Sequence, residues 1–251
     1  MTKKTIGLVM EIAQQMIECG AEISRVEESV TRICRCYGCE PEVYATPSNV
    51  IVSVETESGN QYTQTRRIKS ASLDIERQHL LNDLVRRLSV TPLSDGEISA
   101  ELKKIAGTPQ YALWLKLVFY AVISGSFCIF FGGRSLAETV FAGVIGVVVG
   151  LAGVGLDRIN TNRILSRFLC SLLACGSALL LLRLKAVASA DNIIIGNIMS
   201  LIPGIGLTNA LKDLFIGDTV TGILRFMEAI LLALAIALGF WAAVYLTGGA
   251  A

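Results

Sequence analysis

Histidine is nearly absent from these 251 residues; His79 is the only one. Any hydrolase built on a serine–histidine pair must therefore use it. It lies in "DIERQHLLNDL", an amphipathic helical stretch where a surface or interfacial histidine is the commoner role. Thr46, Ser48 and Ser53 are the candidate nucleophiles, but no G-x-S-x-G elbow accompanies them. A membrane-tethered hydrolase using the N-terminal domain stays an alternative on those terms. Charge is also scarce, at 17% of residues, and no basic tract offers nucleic acid a surface. A signal peptide is not expected: "TIGLVM" is short, and Glu11, Gln14 and Gln15 follow where its apolar core would continue. Seven cysteines is an odd number, and Cys128, Cys170 and Cys175 lie inside apolar segments. Disulfides are not expected if the first domain is cytosolic.

Apolar residues, by contrast, make up 53% of the chain, and they are unevenly spread. Residues 1–106 carry 13 Lys and Arg against 15 Asp and Glu, while residues 107–251 carry 9 against 6. That contrast predicts an α+β cytosolic domain over 1–106 and an all-α membrane domain over 107–251. Ile6, Val9, Met10, Ala13, Met16 and Ile17 recur at helical spacing, and Gly20 ends or bends that helix. Ile23, Val26, Val30, Ile33 and Tyr37 form a second stripe, with Gly38 as its C-terminal cap. Val50, Val52 and Val54 then alternate with other residues, Ser58-Gly59-Asn60 supplies a turn, and 62–68 can return as a paired strand. Pro47 belongs at a strand start or in a link, because it has no N–H for a ladder. Leu73 to Leu88 restore a helical face, and Ser94-x-x-Glu97 is a capping box for one more short helix.

Five segments approach or exceed the ~20 residues that a bilayer core requires: about 113–131, 136–156, 164–182, 193–215 and 220–246. Lys103, Lys104, Arg158, Arg163, Arg167 and Lys212 fall on one side, against Arg134, Arg183 and Lys185 on the other. The positive-inside rule then favours a cytosolic N-terminal domain, and five spans put the C-terminus outside. Gly143, Gly146, Gly150 and Gly153 in the second span permit close helix packing, within the chain or between subunits.

The fourth span is broken by Pro203-Gly204. A break at membrane depth frees backbone groups that protein, water or a solute must satisfy. Secondary transporters build midplane sites from such helices, while a kinked packing helix is the plainer reading. Asn197 and Asn209 bracket the break, and Asp213 and Asp218 follow as gating or proton-relay candidates. Arg225 and Glu228, at i, i+3 in the fifth span, form an ion pair or hold solute charges. Cys34, Cys36 and Cys39 invite a metal reading completed by Cys19 or His79, but their spacing is poor for a knuckle; no metal or cofactor is called for.

"GAEISRVEESVTRI" (20–33), "TPSNVIVSV" (46–54), "RRI" (66–68) and "LIPGIGLTNALKDLFIGDTVTGILRFMEA" (201–229) together resemble the threonine/serine exporter family. The resemblance covers nearly the whole chain, and it is the order of motifs that makes it specific. It implies a multi-pass protein of a prokaryotic inner membrane that exports threonine or serine, or, in a close branch, succinate. It also implies the long partner of a split exporter, completed by a short five-span subunit; a higher oligomer is compatible with either. Two five-span halves have opposite topologies, as alternating access favours. The candidate pathway residues are Asn197, Pro203, Gly204, Asn209, Asp213, Asp218, Arg225 and Glu228. Gly20, Glu22, Arg25, Glu27 and Pro47 form the N-terminal motif, for which a structural or gating role is expected, with Arg25 pairing to a glutamate across helices. Proton-gradient coupling is expected from the family's class.

Overall fold

The computed structural model describes residues 1–55, 59, 61–69, 71–109, 111–133 and 135–248. Ser58 and Asn60 of the expected turn, and Arg134 of the loop-charge count, lie outside them. The chain divides into two compact units: Met1–Pro109 with Asn209–Arg225, and Gln110–Thr208 with Phe226–Ala251.

In the first unit, α1 (Lys3–Glu18) and α2 (Ile23–Cys36) follow the two predicted stripes. Thr2 caps α1 by accepting from the Thr5 N–H. Gly20 between the helices has φ +85°, a left-handed conformation that costs glycine little. An antiparallel meander follows: β1 (Pro41–Thr46), β2 (Asn49–Glu55) and β3 (Gln61–Arg67). Val50, Val52 and Val54 face the core, and Val52 stands opposite Val43 and Gln64. Pro47 sits in the link between β1 and β2. Helices α3 (Ile75–Leu88) and α4 (Asp95–Ala106) complete the core with Leu81, Leu84, Leu88, Ile98 and Leu102. The Ser94–Glu97 capping box is present in both of its bonds.

Among the described residues, four helices are long and apolar enough to cross a membrane: α5 (Leu113–Phe130), α6 (Leu136–Arg158), α7 (Arg163–Arg183) and α10 (Thr219–Leu246). A fifth crossing is the pair α8 (Asp191–Met199) and α9 (Gly204–Phe215), if the two count as one span. The pair bends by 55° at the predicted break. Ser200 to Pro203 lie outside either helix, and α9 restarts with the Leu207 N–H donating to the Pro203 carbonyl. Only 17–39% of each spanning window is buried within the chain, so most of each helix surface is left for lipid or partner.

In the second unit the glycine stripe of α6 lies against α5. A Cβ on Gly146 would stand 2.5 Å from Ser124 Oγ, and one on Gly150 would stand 2.7 Å from the Tyr120 ring. A Cβ on Gly143 would stand 3.3 Å from the Ala121 carbonyl, while one on Gly153 would make only ordinary contact with Cys170 Sγ, at 3.9 Å. The stripe thus packs within the chain. Helix α8 approaches α5 as tightly, with Gly196 against the Ser124 carbonyl.

Candidate functional site

A charged cluster forms inside the first unit, where Asn209–Arg225 packs with Met1–Pro109. Helix α9 ends at Phe215, and Gly217, at φ +91°, reverses the chain. The Asp218 N–H donates to the Asp213 carbonyl, and Asp218 Oδ1 accepts from the Thr221 N–H at the start of α10. Gly222 then packs on Leu214 so closely that a Cβ would stand 2.7 Å from its Cγ. This reversal brings Arg225, on the second turn of α10, back to Asp213.

Arg225 Nη1 donates to Asp213 Oδ2 at 2.9 Å, and its Nη2 donates to the Ala21 carbonyl at 2.9 Å. The side chains are 14% and 1% exposed, so this is a buried ion pair. Asp213 Oδ1 has no hydrogen-bond partner among the described residues. Two residues before α2, Ala21 presents a carbonyl that the helix ladder does not use. Its neighbour Glu22 accepts from Lys212 Nζ at 2.7 Å. That second pair is 52% and 30% exposed, and is worth at most about 1 kcal/mol. Glu27 Oε1 accepts from the Ala45 N–H at 2.8 Å. Burial pushes the Glu27 carboxyl above its usual range, the Ala45 N–H opposes that, and the Asp218 charge adds to it.

The candidate residues therefore separate into groups. Glu22, Glu27, Asp213, Asp218 and Arg225 come together. Glu228 does not pair with Arg225; it accepts from Arg163 at 3.1 Å with both side chains half exposed. Arg25 is exposed and forms no ion pair among the described residues, because Glu28 is held by Arg32 and Glu27 by the β1 backbone. Asn209 is half-buried, Gly20 holds the turn before α2, and Pro47 contributes no polar atom to the cluster.

Asn197 belongs to a separate polar centre in the second unit. Its Nδ2 donates to the Ala142 and Ile193 carbonyls, which fixes the amide orientation and leaves Oδ1 without a partner among the described residues. Ser124, fully buried beside Gly146 and the Gly196 backbone, also has a partnerless Oγ. Glu138 is buried on α6 at 7% exposure. Sequence reasoning passed over Ser124 and Glu138. The signal for Glu138, an acidic residue in the third position of an apolar helix, was present.

His79 is exposed, and no hydrogen bond joins it to Thr46, Ser48 or Ser53 among the described residues. Burial pushes the Cys34 thiol up to about 12, so it is a neutral thiol. Among the described residues no group of three or more His, Cys, Asp or Glu gathers as a metal site.

Among the described residues, four or five apolar helices, one pair of them bent, together with a buried ion pair between α9 and α10, define a multi-pass membrane protein of the transport class. The chain belongs to the threonine/serine exporter family, ThrE, whose profile matches residues 7–247. It is a membrane exporter protein of the inner membrane. It is 26% identical over 239 residues to the Klebsiella aerogenes "Probable succinate transporter subunit YjjP", covering 92% of this chain and 90% of that protein. The Escherichia coli (strain K12) protein of the same name is 25% identical over 231 residues, covering 89% and 87%. No solved structure matches.

Proposed function

We propose that this chain is the long subunit of a two-component exporter that moves a small carboxylate-bearing metabolite out of the cell. Succinate is the first candidate solute, because the similar proteins are named as succinate transporter subunits. Threonine and serine, from the family's description, are the second. The naming of those relatives as subunits supports a partner of the same family, which the sequence reading specifies as a short five-span protein. The bent pair counts as one span in this reading, so five spans leave the N-terminal domain cytosolic and the C-terminus outside. The family is one of transporters, so no enzymatic role is assigned.

The observation that carries the proposal is the buried ion pair between Asp213 of α9 and Arg225 of α10. All three solutes carry a carboxylate that competes with Asp213 for the Arg225 guanidinium, in a setting where charge-assisted bonds are strong. Protonation of Asp213 releases Arg225 to the solute, and its deprotonation expels the solute, which couples export to the proton gradient. Asp218 and Asn209 line the same segment, Pro203 and Gly204 allow its bend, and Asn197 lies one turn before the break. Glu228, held by Arg163, acts as a structural pair.

The test is efflux of labelled succinate, threonine and serine from loaded cells, with and without the short subunit and with a protonophore. Export of at least one solute that needs both subunits and stops with the protonophore is expected. Export unchanged by the protonophore would remove proton coupling, and full activity of this chain alone would remove the partner.

A further inference from the structure

The N-terminal motif supplies two groups to the charged cluster, the Ala21 carbonyl and the Glu22 carboxylate, and the transport proposal uses neither. Lys212 and Asp213 are neighbours on α9, and Ala21 and Glu22 are neighbours before α2. The pairs Lys212–Glu22 and Arg225–Asp213 therefore draw on neighbouring residues of α9 and of the segment before α2, within one compact unit. Each cation holds one carboxylate. The Ala21 carbonyl holds the second arm of the guanidinium, so Arg225 keeps a position-fixing bond when Asp213 leaves.

We propose that Lys212 and Arg225 are a two-cation seat for a dicarboxylate, occupied in this conformation by the chain's own Glu22 and Asp213. The inference rests on the exporter reading and deepens it by choosing the solute class. Two cations matched by two carboxylates leave the two pairs without net charge. A solute with two carboxylates replaces both without leaving a cation bare, provided Glu22 and Asp213 withdraw or take up protons. A monocarboxylate can satisfy Arg225 alone. The two halves differ in ease of exchange: Lys212–Glu22 is solvent-exposed and opens at little cost, whereas Asp213 is buried with one oxygen already lacking a donor. Glu22 is thus the outer self-ligand, and the N-terminal motif becomes a competitor for the solute's place.

The test uses the full chain in detergent, alone and with the short subunit. Thermal stabilisation is titrated with succinate, with lactate as a monocarboxylate, and with threonine. Succinate should stabilise the wild type. Glu22→Gln, which removes the competitor, should lower the succinate midpoint by up to about 5-fold, and Lys212→Gln should raise it by a similar factor, the scale of one half-exposed ion pair. Lys212→Gln should leave the lactate midpoint in place. The charge swap Glu22→Lys with Lys212→Glu rebuilds a merely structural pair, but should leave succinate as weak as Lys212→Gln does. Equal effects of Lys212→Gln on succinate and lactate, an unchanged midpoint in Glu22→Gln, recovery by the swap, or no succinate effect on any form would each overturn the seat. If succinate binds as described but loaded cells export none, the exporter reading fails and the seat stands. If cells export succinate and Lys212→Gln does not lower that export, the seat fails and the exporter reading stands.

Discussion

Removing the Arg225 side chain should cost more than any single surface change in the same segment. Arg225→Ala deletes two bonds of 2.9 Å, to Asp213 and to the Ala21 carbonyl. It leaves behind a carboxylate that is 1% exposed and whose other oxygen already lacks a partner. Breaking a buried pair from one side costs about 3–5 kcal/mol, most of it the penalty of the stranded charge. Asp213→Ala strands a guanidinium that is 14% exposed and keeps the Ala21 carbonyl, so its cost should sit at the lower end of the same range, about 3 kcal/mol. The double variant leaves no charge behind, and should cost less than the sum of the singles by roughly 2–3 kcal/mol, the scale of coupling between residues in contact. The assay is unfolding of the full chain in detergent, followed by labelling of Cys34, which is fully buried. Membrane insertion is checked in parallel, and export should be abolished by Arg225→Ala without loss of the protein from the membrane. Additive costs, or a cost below about 1 kcal/mol for Arg225→Ala, would show that the pair is neither buried nor coupled in the working protein.

Three other changes probe separate parts of the account. Glu27 has a folded-state pKa raised by burial, so its contribution to stability is present below the ordinary glutamate value of 4.5 and is lost as pH rises through the raised one. Glu27→Gln keeps an acceptor for Ala45, and should flatten the fall in melting temperature from pH 4.5 upward; an unchanged slope contradicts the burial effect. Gly196→Ala drives a Cβ to 2.6 Å from the Ser124 carbonyl, and should destabilise the helical unit by about 1–3 kcal/mol in thermal melts; wild-type melting would mean α5 and α8 are not in close contact. Glu228→Gln removes a half-exposed pair with Arg163, and should cost at most about 1 kcal/mol and retain export; abolished export would return Glu228 to the pathway.

Much of the architecture was legible because it rests on local chemistry. The spans followed from runs of apolar residues, the break from Pro203-Gly204, and the start of α4 from the Ser94–Glu97 box. Strand β1 was less visible, since "PEVYAT" is short, holds a glutamate and ends beside Pro47. The site was legible as a set of residues and not as a set of pairs. Helical spacing suggests an Arg225–Glu228 pair, but their partners come from elsewhere: Asp213 across a chain reversal and Arg163 from α7. Lys212 and Glu22 meet across 190 positions, a distance over which no periodicity carries information. Arg25 looked like the pairing member of its motif because it is charged, whereas the backbone carbonyl of Ala21 makes the contact. A main-chain acceptor has no signature in the residue type.

The most direct measurement is succinate efflux from proteoliposomes holding this chain and its short partner, with a proton gradient imposed across the membrane. The account predicts gradient-driven efflux that Arg225→Ala abolishes while both proteins remain inserted. Efflux that persists undiminished in Arg225→Ala would contradict it.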